Sequence, residues 1–168
     1  MQIRPERPGD EAAISHLTTA AFLTAEHSDG TEAQIVERLR ISGALLLSLV
    51  AESGAEGGAE IAGHIAFSPV VIGGNSLGWV GLGPVSVAPA HQQEGIGSAL
   101  IRAGLARMQA AGHGGCVVLG DPAYYQRFGF AVTPGITYPG VPPAYFMALN
   151  FGTALPQGEA TYHPAFTG

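Results

Sequence analysis

Hydrophobic and polar residues follow helical and then extended patterns along the first half of the chain. The short segment "MQIRP" predicts an edge strand, and apolar residues then recur at helical spacing in "EAAISHLTTAAF", where Asp10 is placed to cap the helix. A second helix is predicted between Thr31, its cap, and Gly43, which ends it. Three extended segments follow, and their short connections favour antiparallel pairing: "ALLLSLVAE", "IAGHIAFSPVVIG" and "SLGWVGLGPVSVAP".

The second half of the chain places one long helix among shorter elements. The pattern predicts a helix from about Gly95 to Ala111, a buried strand in "GCVVLGD", a short helix in "PAYYQRFG" and a late strand in "AYFMALNF". This order predicts an α/β (α+β) fold with a mixed, mostly antiparallel central sheet and helices on both faces. We expect residues 1–150 to form a single domain, and residues 151–168 to be a C-terminal extension packed on the same domain.

The composition argues against several classes of function. The chain has 168 residues, 46% of them hydrophobic, and a net charge of -6, with no basic patch for binding nucleic acid. No apolar segment is long enough to cross a membrane, and the N-terminus has no apolar signal segment, so a cytoplasmic protein without a membrane partner is predicted. The acidic balance weakly favours a cationic or amine substrate.

Few residues are placed for metal or nucleophilic chemistry. The single cysteine, Cys116, begins an apolar run, which is typical of a buried and inert thiol. The six histidines show neither His-x-His nor His-x-x-x-His spacing, and no metal is predicted. The Gly-x-Ser-x-Gly elbow of Ser-His-Asp hydrolases is absent from the sequence.

The glycine-rich segment "QQEGIG" begins the long helix and admits more than one interpretation. It is not a dinucleotide-binding fingerprint, because Leu100 stands where the third glycine is needed, and no Lys-Ser or Lys-Thr follows for a Walker loop. One remaining interpretation is a simple tight turn. The other is a phosphate cradle, in which Gly95 and Gly97 let an anion come close and the N–H groups of Gln93 through Ser98 bind it.

Sequence motifs on both sides of this turn resolve the choice. The segment "LGPVSVAPAHQQEGIGSALI" resembles the acetyl-CoA-binding motif of the GNAT superfamily of N-acetyltransferases, with Gln92, Gly95 and Gly97 on its Gln/Arg-x-x-Gly-x-Gly/Ala positions. The later segment "AYYQRFGF" resembles the Tyr-x-x-x-Gly-Phe signature of the same family, with Tyr125 as its tyrosine. "VVLGDPAYYQRFGF" and "AGHIAFSPV" together resemble a bacterial subgroup of YhbS-like acetyltransferases.

The resemblance implies a GNAT-like sheet and acetyl-CoA as co-substrate. Pantetheine amides are then expected to pair with the backbone of Val85, Ser86 and Val87 as an added strand, which a bulge at Gly83 and Pro84 would free. The N–H of Val87 is expected to polarise the thioester carbonyl. The pyrophosphate cradle implied by the resemblance consists of Gln92, Gln93, Glu94, Gly95, Ile96, Gly97 and Ser98.

Two positions depart from the family pattern. The family commonly has Lys or Arg where Glu94 stands, which predicts either weaker binding of CoA or a carboxylate turned to solvent. Many members have Asn where Asp121 stands.

Tyr125 is the predicted general acid that protonates the leaving thiolate. Its phenol has an ordinary pKa of about 10, and its alternative role is that of a core aromatic residue. The neighbouring Tyr124 is the weaker candidate, because it stands five residues before Gly129 instead of four and faces a different side of the short helix.

The sequence leaves the general base open. His64, within a predicted strand, is a candidate base or water relay, although a lone strand histidine is more often structural. Glu26, His27 and Glu32 lie around the loop before the second helix, where this superfamily commonly builds its acceptor site. Deprotonation through ordered water requires no single base.

The predicted function is transfer of the acetyl group of acetyl-CoA to a primary amine, by direct attack in a ternary complex. The acceptor is a small molecule or a peptide amine, and the oligomeric state is open, a homodimer included. The alternatives are a CoA-binding sensor with the same fold and no transferase activity, or a transferase of a longer acyl group.

Overall fold

The computed structural model describes residues 1–25, 28–54, 59–152 and 154–167. Its helices are α1 (Glu11–Phe22), α2 (Glu32–Ser42), α3 (Ile96–Ala110) and α4 (Pro122–Tyr125). Its strands are β1 (Gln2–Pro5), β2 (Leu47–Ser53), β3 (Glu60–Ile72), β4 (Trp79–Val87), β5 (Gly115–Leu119), β6 (Ile136–Thr137), β7 (Phe146–Asn150) and β8 (Gly158–Tyr162).

The strands form a mixed sheet in the order β1-β2-β3-β4-β5-β7. Only the β4–β5 pair along this path is parallel, among the residues that the structure describes. β8 pairs antiparallel with the end of β3 and parallel with β6. The C-terminal segment therefore pairs with the end of β3, the longest strand of the sheet. For this segment the sequence predicted only loops and a short strand.

Helices cover both faces of this sheet. Leu49 of β2 packs in the cluster that contains the apolar side of α3, whereas the next residue, Val50, packs with Ile14 of α1 and Val36 of α2. Because successive strand residues face opposite sides, α3 and the α1–α2 pair lie on opposite faces. The predicted fold class is confirmed.

The helix starts differ from the predicted caps. Neither Asp10 nor Thr31 accepts a capping hydrogen bond from its own helix. The Asp10 carboxylate instead binds the guanidinium of Arg4 at 2.8 Å, and this bond holds the pKa of Asp10 below its usual value. The predicted end of the second helix is confirmed, since Gly43 adopts a left-handed conformation with φ 76°.

Gly104 of α3 sits directly above Phe67, a fully buried residue of β3. A Cβ atom at position 104 would lie 2.7 Å from Cζ of the Phe67 ring. Helix propensity alone favours alanine by about 1 kcal/mol, but overpacking a core costs about 2 kcal/mol. We therefore expect Gly104→Ala to lower the free energy of unfolding by about 1 kcal/mol net, as measured by chemical denaturation.

The exposed residue Ala106 of the same helix provides the control for this prediction. Ala106→Gly should lower the free energy of unfolding by about 1 kcal/mol through propensity alone. If Gly104→Ala stabilised the protein, the close approach of α3 to β3 would not be what requires glycine there.

Candidate active site

The sheet opens between its two central parallel strands. In the described part of the chain, β4 and β5 pair only through Trp79, Val80 and Gly81 of β4, and no strand lies beside the remainder of β4 on that edge. The register of the β3–β4 pair shifts between Ile65, which pairs with Val85, and Phe67, which pairs with Leu82. At this shift β4 contains one residue more than β3. This bulge contains Gly83 and Pro84, as the sequence predicted.

The direction of the backbone groups of β4 follows from its pairing with β3. The N–H of Ala88 donates to the carbonyl of Ala62 at 2.8 Å, and hydrogen-bonded pairs alternate along an antiparallel ladder. Ser86, two residues earlier, therefore also directs its N–H and C=O toward β3. The same groups of Val85 and Val87 point away from β3, into the opening.

This alternation determines which backbone groups of Val85, Ser86 and Val87 are free for the predicted pairing with pantetheine. The backbone of Ser86 is committed to β3, and its side chain is buried with Oγ 3.4 Å from Oγ1 of Thr18. The carbonyl of Val87 accepts a hydrogen bond from Nε2 of Gln92 at 3.2 Å. The groups left to face the opening are the N–H and C=O of Val85 and the N–H of Val87.

The turn between β4 and α3 leads into a helix whose first N–H groups have no acceptor in the described part of the chain. Gln93 and Gly95 adopt positive φ angles of 68° and 84°, and α3 begins at the next residue, Ile96. Within the described ranges, the N–H groups of Ile96, Gly97 and Ser98 have no hydrogen-bond acceptor. Such groups at the positive end of a fifteen-residue helix are able to bind an anion.

The carboxylate of Glu94 is held at the rim of this helix start. It lies 3.4 Å from Nδ1 of His91, whose Nε2 lies 3.1 Å from the carboxylate of Glu60. Glu60 first, and then Glu94, raise the pKa of His91 above its usual value. An imidazole that is more readily protonated thus compensates part of the negative charge beside the helix start.

The Tyr125 ring is fixed by the turn that precedes it. Asp121 caps α4 by accepting a hydrogen bond from the N–H of Ala123 at 3.0 Å, and a Cβ atom on Gly120 would lie 2.9 Å from Cδ2 of the Tyr125 ring. Tyr125 is 9% exposed, and its hydroxyl has no hydrogen-bond partner in the described part of the chain. Burial raises the pKa of Tyr125, which keeps the phenol protonated.

Tyr124 lies beside the helix start, a contact that sequence reasoning missed. Its hydroxyl is 3.5 Å from Oγ of Ser98 and would be 3.3 Å from a Cβ atom on Gly97. The guanidinium of Arg127 stacks 4.7 Å from the centroid of the Tyr124 ring. The i, i+3 spacing of Tyr124 and Arg127 predicts this stacking, because such residues adjoin on a helix, but the spacing does not predict the contact with Ser98.

His64 lies inside the protein and not at the opening. Its side chain is fully buried, and Nε2 lies 2.8 Å from Oγ of Ser48, which donates its own proton to Glu6 at 2.6 Å. His64 Nε2 must therefore carry the proton of this bond, and the bare Nδ1 has no partner among the described residues. Burial lowers the pKa of His64 to about 4, and this environment favours the structural role over that of a base.

Of the three predicted acceptor residues, one lies in the described part of the chain. Glu26 and His27 lie outside the described residues. Glu32 begins α2 and accepts a hydrogen bond from the hydroxyl of Ser28 at 2.7 Å. The assignment of Glu32 to the acceptor site stays a prediction.

The cysteine and the acidic and histidine side chains show no sign of other chemistry in the described part of the chain. Cys116 is fully buried in the core, and burial raises its pKa, as expected for an inert thiol. Across residues 1–25, 28–54, 59–152 and 154–167, no three His, Cys, Asp or Glu side chains are grouped so that they could hold a metal ion. In the same ranges, no helix has the length and apolar character needed to cross a membrane.

The splayed pair of parallel strands and the helix start with free donors are the features of an acyl-CoA-dependent acetyltransferase, the class that the motifs resemble. Residues 2–133 match the family model described as the acetyltransferase (GNAT) domain, and the chain belongs to the GNAT family. The family resemblance stated from the sequence is thereby confirmed.

Similar proteins cover the whole length of the chain. It is 36% identical over 176 residues to the uncharacterized N-acetyltransferase YhbS of Escherichia coli strain K12, covering 99% of this chain and 98% of that one. A GNAT family acetyltransferase from Brucella melitensis, solved in complex with acetyl-CoA, has 52% identity and a TM-score of 0.86 over 98% of this chain and 97% of that one. The structure of E. coli YhbS in complex with CoA gives a TM-score of 0.88 at 32% identity, over 99% and 92%.

Proposed function

We propose that this protein transfers the acetyl group of acetyl-CoA to a primary amine by direct attack. The observation that carries the proposal is the unpaired edge of β4, where the backbone groups of Val85 and Val87 face an opening that leads to the free N–H groups of α3. Two similar proteins are solved with acetyl-CoA and with CoA, and the same ligand fits a backbone edge followed by an anion site.

In this proposal the cofactor lies along β4 with its pyrophosphate at the start of α3. The amides of the pantetheine pair with Val85, and the N–H of Val87 points toward the thioester carbonyl, whose developing negative charge it stabilises. The N–H groups of Ile96, Gly97 and Ser98 bind the phosphates. The Gln92 side chain holds the carbonyl of Val87, and thereby the turn between strand and helix.

The chemical step requires few protein groups. The acceptor first loses a proton to solvent, and its neutral nitrogen then forms a C–N bond with the carbonyl carbon while the C–S bond breaks. Tyr125 donates its proton to the leaving thiolate and recovers one from solvent, and the new amide nitrogen releases its extra proton to water. The products are the N-acetylated amine and CoA.

Thiol release tests this function directly. A panel of primary amines is incubated with the protein and acetyl-CoA, and free CoA is measured against a control without protein; at least one amine should increase the rate well above that control. If acetyl-CoA bound in calorimetry and no amine increased thiol release, the CoA sensor would replace the transferase. If a longer acyl-CoA were preferred, the acyl group would be wrong and the mechanism would stand.

The position of Glu94 leads to a specific expectation for cofactor affinity. We expect Glu94→Gln to change the Kd of acetyl-CoA by less than about threefold, because the carboxylate is exposed and already faces His91. Calorimetric titration of the wild type and the variant at the same ionic strength measures this change. Glu60→Gln, which removes the other partner of His91, is the matched control. A tenfold gain in affinity would mean that the Glu94 carboxylate repels the phosphates directly.

A further inference from the structure

A pocket opens beside the bulge of β4, on the side of the sheet that carries α2 and the C-terminal segment. Its volume is about 430 Å³, which is within the range of pockets for small molecules. Leu82, Gly83 and Pro84 of β4 line one side, and Leu119 at the end of β5 lines the other. The pocket therefore occupies the gap between the two splayed strands.

The far wall of the pocket is aromatic. The rings of Tyr138 and Tyr162 meet edge to face with centroids 5.5 Å apart, and Phe166 packs on Tyr162 with centroids 5.1 Å apart. Burial raises the pKa of Tyr162, so this phenol stays neutral. Such a wall binds an apolar or aromatic body, and its ring faces also attract a cation.

One charged side chain completes the lining. Glu159 of β8 is exposed at the pocket wall, and no Lys, Arg or His belongs to the lining among the described residues. The pocket is therefore complementary to a ligand that combines a positive charge with an apolar body. An amine that carries its own carboxylate would be repelled by Glu159.

We propose that this pocket binds the acceptor, and that the acceptor is a small primary amine with an aromatic or bulky apolar body, recognised as the ammonium ion by Glu159. This inference rests on the transferase function proposed above and specifies its substrate class. The bulge that lines one side of the pocket immediately precedes Val85. An amine held in the pocket therefore lies next to the strand that binds the thioester. After it loses its proton, the same nitrogen attacks as described.

Three amines test separately whether the acceptor needs the positive charge without a carboxylate and whether it needs the apolar body. 2-Phenylethylamine has both features, phenylalanine adds a carboxylate to the same body, and ethanolamine lacks the apolar body. With the wild type and saturating acetyl-CoA, we expect kcat/KM for 2-phenylethylamine to exceed that for each of the others by about tenfold or more.

The contribution of Glu159 is tested by removing its charge. Glu159→Gln should lower kcat/KM for 2-phenylethylamine by about tenfold through KM, with the KM for acetyl-CoA unchanged. Glu37→Gln, an equal change of charge on the exposed side of α2, is the control and should leave both constants within about twofold. Both glutamates are surface residues, so folding is not at risk.

The outcomes distinguish this inference from the function on which it rests. If amines were acetylated but phenylalanine or ethanolamine matched 2-phenylethylamine, or Glu159→Gln had no effect on KM, the assignment of the pocket would fail and the transferase would stand. If only a lysine side chain of a peptide were acetylated, a macromolecular acceptor would replace the small amine. If no acceptor released CoA although acetyl-CoA bound, the transferase itself would fail.

Discussion

Replacing Tyr125 by phenylalanine is expected to lower kcat by about 100-fold while the KM for acetyl-CoA changes by less than about twofold. The variant removes only the hydroxyl, and the ring keeps its packing against Gly120 and Phe130. Because the hydroxyl has no partner among the described residues, the free energy of unfolding should be nearly unchanged. A steady-state assay of thiol release and chemical denaturation of both proteins check these expectations.

Tyr124→Phe is the matched control for this prediction. The hydroxyl of Tyr124 lies at the start of α3, beside Ser98, and its loss should raise the KM for acetyl-CoA more than it lowers kcat. Since burial raises the pKa of Tyr125, its ionisation should add no falling limb to the pH profile of kcat near neutrality. Normal turnover by Tyr125→Phe would exclude it as the general acid.

The local features of β4 and of the turn that follows it could be predicted from the sequence. Gly83 and Pro84 together predict a bulge, because one permits unusual backbone angles and the other removes a donor. Gly95 predicts the positive φ that begins α3. These predictions depend on residue type and near neighbours only, which the sequence shows directly.

Features that depend on pairing between distant segments could not be predicted. The commitment of Ser86 to β3 follows from the ladder register, and a shift of one residue would have exchanged its role with that of Val85. The contact that holds His91 against Glu60 joins positions 31 residues apart. Glu159 reaches the pocket only because β8 pairs with the end of β3, and the C-terminal pattern is too weak to predict that pairing.

His64 shows why a residue type does not assign a role. His64 pairs with Ser86 of β4, the strand proposed to bind the cofactor, so a catalytic role was a reasonable prediction. The side chain instead donates to Ser48 within a partly buried network that continues to Glu6 and Arg40. Its Nδ1 lone pair is enclosed, so no substrate proton reaches it in this conformation.

The buried position of His64 should make stability depend on pH. Burial is the main cause of its low pKa of about 4, the charge of Glu6 opposes the shift and that of Arg40 adds to it. An unfolded histidine has a pKa of about 6.5, so below that pH the unfolded chain binds a proton that the native protein does not. The stability from neutral His64 is thus complete above pH 6.5 and is lost as the pH falls toward 4, by about 3 kcal/mol over the whole interval.

Denaturation at a series of pH values, with His64→Asn beside the wild type, measures this contribution. The variant should be less stable at pH 7, because it disturbs the bond to Ser48, and its stability should fall less steeply between pH 6.5 and 5. The raised pKa of His91 makes the protein more stable as the pH falls, which is opposite to the effect of His64. This contribution is the same in the wild type and in His64→Asn, so it cancels when their slopes are compared. Equal slopes for the wild type and His64→Asn would mean that His64 titrates normally in the folded protein, and would restore it as a candidate base.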